Sequence, residues 1–163
     1  MEITAIGKEH YSNISRIYKE GIETGHATFE TTTPEWEDWD KSKLKHSRFA
    51  AVVDGIIVGW AALSAVSDRC VYGGVAEVSI YVSNSHKGKG VGKTLMARLI
   101  EESEAYGIWR LQSGMFPENE ATVALHQRFG FRIVGFREKI GKLGDTWRDT
   151  IIMERRSKTI GIN

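Results

Sequence analysis

Cysteine occurs once in this chain, at Cys70, which excludes an intrachain disulfide framework and fits a reducing compartment. Proline occurs twice, so there is no proline-rich linker or polyproline tract. No apolar run approaches the roughly 20 residues needed to span a bilayer. The start, Met1-Glu2-Ile3-Thr4, has neither a basic n-region nor an apolar h-region, so we expect no secretory signal and a cytoplasmic location. Charge of either sign is not in excess. The net charge of +1 gives no broad footprint for nucleic acid, and no membrane partner is expected. The five histidines show no paired ligand spacing, so no metal site is expected. No Gly-x-Ser-x-Gly elbow exists, which argues against a serine hydrolase.

What is present suits a soluble globular domain. The chain has 163 residues, 41% of them hydrophobic and 26% charged, enough for one domain over 1–163 with one core. The patterning predicts a short strand at 3–6, then a helix at 9–22 with Ile14, Ile17 and Tyr18 on one face. A polar loop covers 25–33, and Pro34 is expected to open a helix running to about Lys43. Strands at 48–53 and 56–64 join at Asp54-Gly55, a hairpin signal. A strand at 75–82 leads to a helix at 90–106. A strand at 109–115, a helix from Asn119 to Phe129, a strand ending near Phe136, a turn at 141–144 and a last strand at 146–154 complete the order. The order β-α-α-β-β-β-α-β-α-β-β is α+β rather than doubly wound.

The most informative stretch is Glu77 to Thr94. A strand runs into a loop with three glycines, Gly88, Gly90 and Gly92, and a helix follows at once. That order presents backbone N–H groups and a helix N-terminus to an anion, best a phosphate or pyrophosphate. A Walker A loop fits only at its tail, because the position of its first glycine holds Lys87. A dinucleotide fingerprint fits Gly88 and Gly90, but its third glycine position holds Lys93. Lys87-Gly88-Lys89-Gly90-Val91-Gly92 instead resembles the Arg/Gln-x-x-Gly-x-Gly/Ala pyrophosphate loop of the GCN5-related N-acetyltransferases, with Lys in the first position.

The strand order also matches that fold, a mixed, largely antiparallel sheet flanked by helices, with a central splay for acetyl-CoA. The resemblance implies that Val82, Lys87, Gly88, Lys89, Gly90, Val91, Gly92, Lys93 and Thr94 hold acetyl-CoA. Asn119, also a natural helix N-cap, is expected to meet its pantetheine arm. Along the 75–82 strand, Glu77, Ser79 and Tyr81 share the face opposite Ala76, Val78, Ile80 and Val82. Glu77 alone reads as an ordinary strand carboxylate. Upstream of a thioester loop it becomes a candidate general base.

Asn119-Glu-Ala-Thr-Val-Ala-Leu-His126-Gln-Arg-Phe-Gly130-Phe131 carries His126 where the superfamily commonly places a tyrosine that protonates the leaving thiolate. His126 can serve as acid, as base or only as a polar contact. Together with Glu77-x-Ser79-x-Tyr81-Val82, it is similar to the phosphinothricin and methionine sulfoximine acetyltransferase group. That resemblance implies an acceptor pocket of Phe29, Glu30, Arg69, Tyr72, Ser79 and Trp147, with Arg69 as a fork for a carboxylate or phosphinate. It also implies a homodimer. The expected activity is acetyl transfer from acetyl-CoA to the α-amine of a small amino acid or analogue. The rivals are a peptide or protein N-acetyltransferase on the same fold and a CoA-binding module without catalysis; a nucleotide hydrolase is a poor third.

Overall fold

The computed structural model describes residues 1–163. Its eleven regular elements follow the order expected from the sequence. They are β1 (Glu2–Ala5), α1 (Tyr11–Glu23), α2 (Trp36–Ser42), β2 (Phe49–Val53), β3 (Ile56–Ala65), β4 (Val75–Val82), α3 (Val91–Ala105), β5 (Arg110–Met115), α4 (Glu120–Arg128), β6 (Arg132–Leu143) and β7 (Thr146–Arg156). One seven-stranded sheet has the order β1-β2-β3-β4-β5-β7-β6. Every pairing is antiparallel except β4 with β5. No helix is long and apolar enough to cross a membrane.

Each face of the sheet buries its own cluster. One joins Val91, Leu95, Met96 and Leu99 of α3 to Val58, Ala61 and Leu63 of β3 and Ala76 and Val78 of β4. The other joins Ile14 and Ile17 of α1 and Trp39 of α2 to Ile57, Trp60 and Ala62 of β3. The four-residue spacing of Val91, Leu95 and Leu99 supplies the stripe that α3 lays on the sheet. Strand β3 is apolar on both faces because helices cover both. A register shift against β2 near Val58 re-phases its alternation, which is why Val58 and Ala61 share one side.

Two boundaries differ from expectation. Pro34 does not open α2; it precedes the N-cap Glu35, and Trp36 takes the first helical position. Strand β6 does not stop near Phe136 but runs to Leu143, and the hairpin turns at Gly144-Asp145. Gly141, read as a turn residue, is a strand glycine. A Cβ there would lie 3.2 Å from the Phe29 ring, so the glycine marks a close approach between strand and loop.

Leu99 is fully buried against the sheet. Leu99→Ala is expected to cost about 2–5 kcal/mol through the cavity it leaves, read as a lower urea midpoint with an unchanged slope.

Candidate active site

The parallel ladder between β4 and β5 covers only Val75, Ala76 and Glu77 opposite Arg110, Leu111 and Gln112. Beyond Glu77 the strands diverge. β4 continues to Val82 paired only with β3, and β5 continues to Met115 paired only with β7. The β5-side edge of β4 is therefore a row of backbone groups with no neighbouring strand.

Two cavities meet there. One, of about 790 Å³, is lined by Val82, Lys87, Gly88, Gly90, Val91, Gly92 and Lys93 on one wall and by Asn119 to Arg128 residues of α4 on the other. The second, of about 810 Å³, is lined by Phe29, Glu30, Glu77, Ser79, His126 and the inner face of the β6–β7 hairpin. Ala27, Ile80, Tyr81, Asn119 and Thr122 line both.

The first cavity fits a phosphorylated ligand. Gly88 and Gly90 sit at φ 75° and 83°, where a side chain is strained although neither lacks space. This bend delivers the chain into α3, whose N-cap Gly90 provides no side-chain hydrogen bond. The first helical N–H groups thus stay open to an anion. Lys87 and Lys93 lie beside them, whereas Lys89 and Thr94 do not line the cavity. The Thr94 hydroxyl is committed to the Gly90 carbonyl at 3.1 Å.

In the second cavity Glu77 is exposed and accepts from Gln112 Nε2 at 3.4 Å. Ser79 lies two residues along the same face, and Ser64 of β3 pairs directly with Glu77. The half-buried Lys43 ammonium donates to Ser79 Oγ at 3.2 Å and Ser64 Oγ at 3.3 Å. Burial pulls the Lys43 ammonium below its ordinary value, while Glu77 and Glu30 act against that. Tyr81, at the junction, stacks on Trp60 and packs on Tyr18; burial and the Tyr18 neighbour raise its phenol above the ordinary range.

His126 is 1% exposed and packs edge-on against Phe131. Its Nδ1 lies 2.7 Å from the Thr122 carbonyl, an acceptor only, so Nδ1 carries the proton. Nε2 is then a lone-pair acceptor, buried and without a protein partner. Burial also lowers the imidazole below the usual histidine range, with the Thr122 bond opposing. Among the three roles left open by the sequence, this geometry disfavours the acid.

Asn119 caps α4, accepting from the Thr122 N–H at 3.3 Å and donating to the His26 carbonyl at 3.3 Å. Arg148 of β7 donates to the Gly25 carbonyl at 2.7 Å and to His26 Nδ1 at 3.1 Å, and covers the Phe116 ring at 4.0 Å. These bonds fix the 25–30 loop as the wall shared by both cavities. Arg69, Tyr72 and Trp147 are not brought in. Arg69 lies over the Tyr72 ring at 5.5 Å, and Trp147 is 54% exposed beneath Lys142. Neither Lys43 nor Arg148 was legible as a site residue, since each gains its place from contacts with elements far along the chain. No group of three or more His, Cys, Asp or Glu side chains gathers as a metal centre.

A family model described as "Acetyltransferase (GNAT) family" matches residues 12–131. The chain is 30% identical over 155 residues to a phosphinothricin N-acetyltransferase of Alcaligenes faecalis, covering 87% of this chain and 75% of that protein. It is 30% identical over 101 residues to an L-amino acid N-acyltransferase of Escherichia coli, covering 62% of this chain and 59% of that one. The match thus spans between about six- and eight-tenths of these curated relatives. A solved structure of a phosphinothricin acetyltransferase from Sinorhizobium meliloti, in complex with AcCoA, superposes with a TM-score of 0.86 at 26% identity, covering 99% of this chain and 95% of that chain.

Because the folded His126 sits below its unfolded value of 6.5, it favours folding above that pH, and the contribution is lost as pH falls through the folded value. His126→Gln is expected to show a smaller loss of thermal stability between pH 7 and pH 5 than the wild type. Equal losses in the two proteins would count against a neutral, buried imidazole.

Proposed function

Because this chain belongs to the acetyltransferase (GNAT) family, we propose that it transfers acetyl from acetyl-CoA to the α-amine of a small amino acid or analogue, of phosphinothricin, methionine sulfoximine or methionine sulfone type. One observation carries this reading. A cavity ending at an uncapped helix N-terminus meets a second cavity holding Glu77, and they join at the open edge of β4. When bound, acetyl-CoA supplies an activated thioester. The loop 87–93 holds its pyrophosphate, with the Lys87 and Lys93 ammonium groups adding charge. The free edge of β4 up to Val82 pairs with the pantetheine arm. Its N–H groups would donate to the thioester oxygen as the amine adds, and CoA would leave as the thiolate and take its proton from water.

Glu77 takes the proton from the acceptor ammonium, directly or through one water. Gln112 donates to that carboxylate, and the Lys43 ammonium, bonded to Ser79, places positive charge near it. His126 Nε2 accepts a hydrogen bond or a proton within the same cavity and is not a donor in its neutral form. Phe29 and Phe116, edge to face at 4.9 Å, wall the acceptor side. Residues 1–163 act as one catalytic domain, and the cytoplasm is its place of work. Trp147, 54% exposed on the β6–β7 hairpin, leaves apolar surface that a second copy would cover, which supports a homodimer.

Purified protein is mixed with acetyl-CoA and a panel of phosphinothricin, methionine sulfoximine, methionine sulfone, common L-amino acids and short peptides, and free thiol is followed. Turnover on the amino-acid analogues is expected. Turnover on peptides alone would replace this acceptor class, and CoA binding with silence across the panel would replace catalysis by a binding role. Glu77→Gln is expected to lower turnover about 10²- to 10⁴-fold while CoA affinity by calorimetry holds. Full activity in that variant would remove Glu77 as the base.

A further inference from the structure

Four charged side chains line the acceptor cavity: Glu30, Glu77, Arg110 and Arg137. Arg110 is committed, because its guanidinium pairs with Glu154, which Arg132 shares at 2.6 Å. Arg137 makes no ion pair and no side-chain hydrogen bond with any residue of the chain. The cavity therefore offers two carboxylates, of which Glu77 accepts only from Gln112, and one guanidinium without a partner, with Phe29, Phe116, Phe136, Ile140 and Ile152 as apolar wall between polar groups.

Arg137, an exposed side chain, stands at the start of an irregularity in β6. Its register partner is Thr150, and the next pair along is Gly141 with Arg148. Glu138, Lys139 and Ile140 therefore stand opposite Asp149 alone. Lys139 adopts φ 44°, and its N–H donates to Asp149 Oδ1 at 2.7 Å, which ties the bulge. A bulge re-aims the side chains beside it. Here Arg137, Ile140 and the partner Thr150 all line the cavity. Arg69, the arginine the resemblance assigned to an anion, stays outside with its guanidinium over Tyr72.

We propose that Arg137 is the specificity-determining residue of the acceptor cavity, receiving the carboxylate of an acceptor whose amine faces Glu77. The acceptor class is then a free amino acid, rather than a simple amine or an amidated one. A planar guanidinium meets a carboxylate through two parallel N–H donors, a geometry that neither a carboxamide nor a methyl group reproduces. This inference rests on the second cavity being the acceptor site.

The experiment compares kcat/KM for L-methionine sulfone and for its carboxamide. It uses wild type, Arg137→Ala, Arg137→Lys and Arg69→Ala, with thermal midpoints checking that each folds. Wild type is expected to favour the acid. Arg137→Ala should lower kcat/KM for the acid about 10- to 100-fold, mainly through KM, and leave the amide nearly unchanged. Arg137→Lys should recover part of the loss, and Arg69→Ala should keep the wild-type preference. An unchanged acid-to-amide ratio in Arg137→Ala, loss of the preference in Arg69→Ala, or no preference in wild type would each overturn the proposal. Turnover of neither compound by wild type, with CoA still bound, would overturn the acceptor reading itself, an outcome distinct from the other three.

Discussion

The central parallel ladder ends after three residue pairs, and most of the site follows from that interruption. A sheet normally closes every backbone edge it can, since an unpaired N–H or C=O away from water is costly. Here β5 turns toward β7 and leaves β4 to β3, so an edge opens in the middle of the molecule. The opening needs rigid sides. α3 and its buried row from Val91 to Leu99 brace one face of the sheet, and the Trp39–Trp60 cluster with α1 braces the other. The gap is thus a fixed feature between two packed layers, and ligand groups can complete the missing pairing.

The walls of the gap come from segments distant in sequence. The 25–30 loop is tied by Asn119 from α4 and by Arg148 from β7. Phe29 reaches across to the strand surface at Gly141. Glu20 of α1 accepts the Asn84 N–H at 2.6 Å, which anchors the turn leading into the glycine loop. Hydrogen bonds to charged groups are worth more than neutral ones, about 1.5–3 kcal/mol each, and they hold loops that bury little apolar surface. The β6–β7 hairpin closes the Glu77 side of the gap, and its bulge opposite Asp149 gives that wall its shape.

The two ends of the site differ in how they can be read. The glycine loop before α3 is local. Gly88, Gly90 and the start of α3 are contiguous, and the positive φ values that glycine permits are a property of the chain itself. The period-two pattern of β4 likewise put Glu77 and Ser79 on one face before any contact was known. Lys43, Gln112, Arg137 and Arg148 carried no such pattern, because each gains its place from an element far along the chain. Gly141 misled for the same reason. A glycine in a strand and a glycine in a turn look alike until the ring that approaches it is known.

The order of elements, the α+β class, the glycine loop before α3 and the face on which the candidate base stands were legible in the residues alone. All of these depend on residues within one or two turns of helix or one strand. The splay of β4 from β5, the tautomer of His126, the charge beside Glu77 and the absence of Arg69 and Trp147 from the cavity came from packing across the fold. Those depend on burial and on which donors and acceptors meet across the sheet. Burial withdraws solvent from a polar group and leaves its nearest neighbour to fix its proton and its orientation.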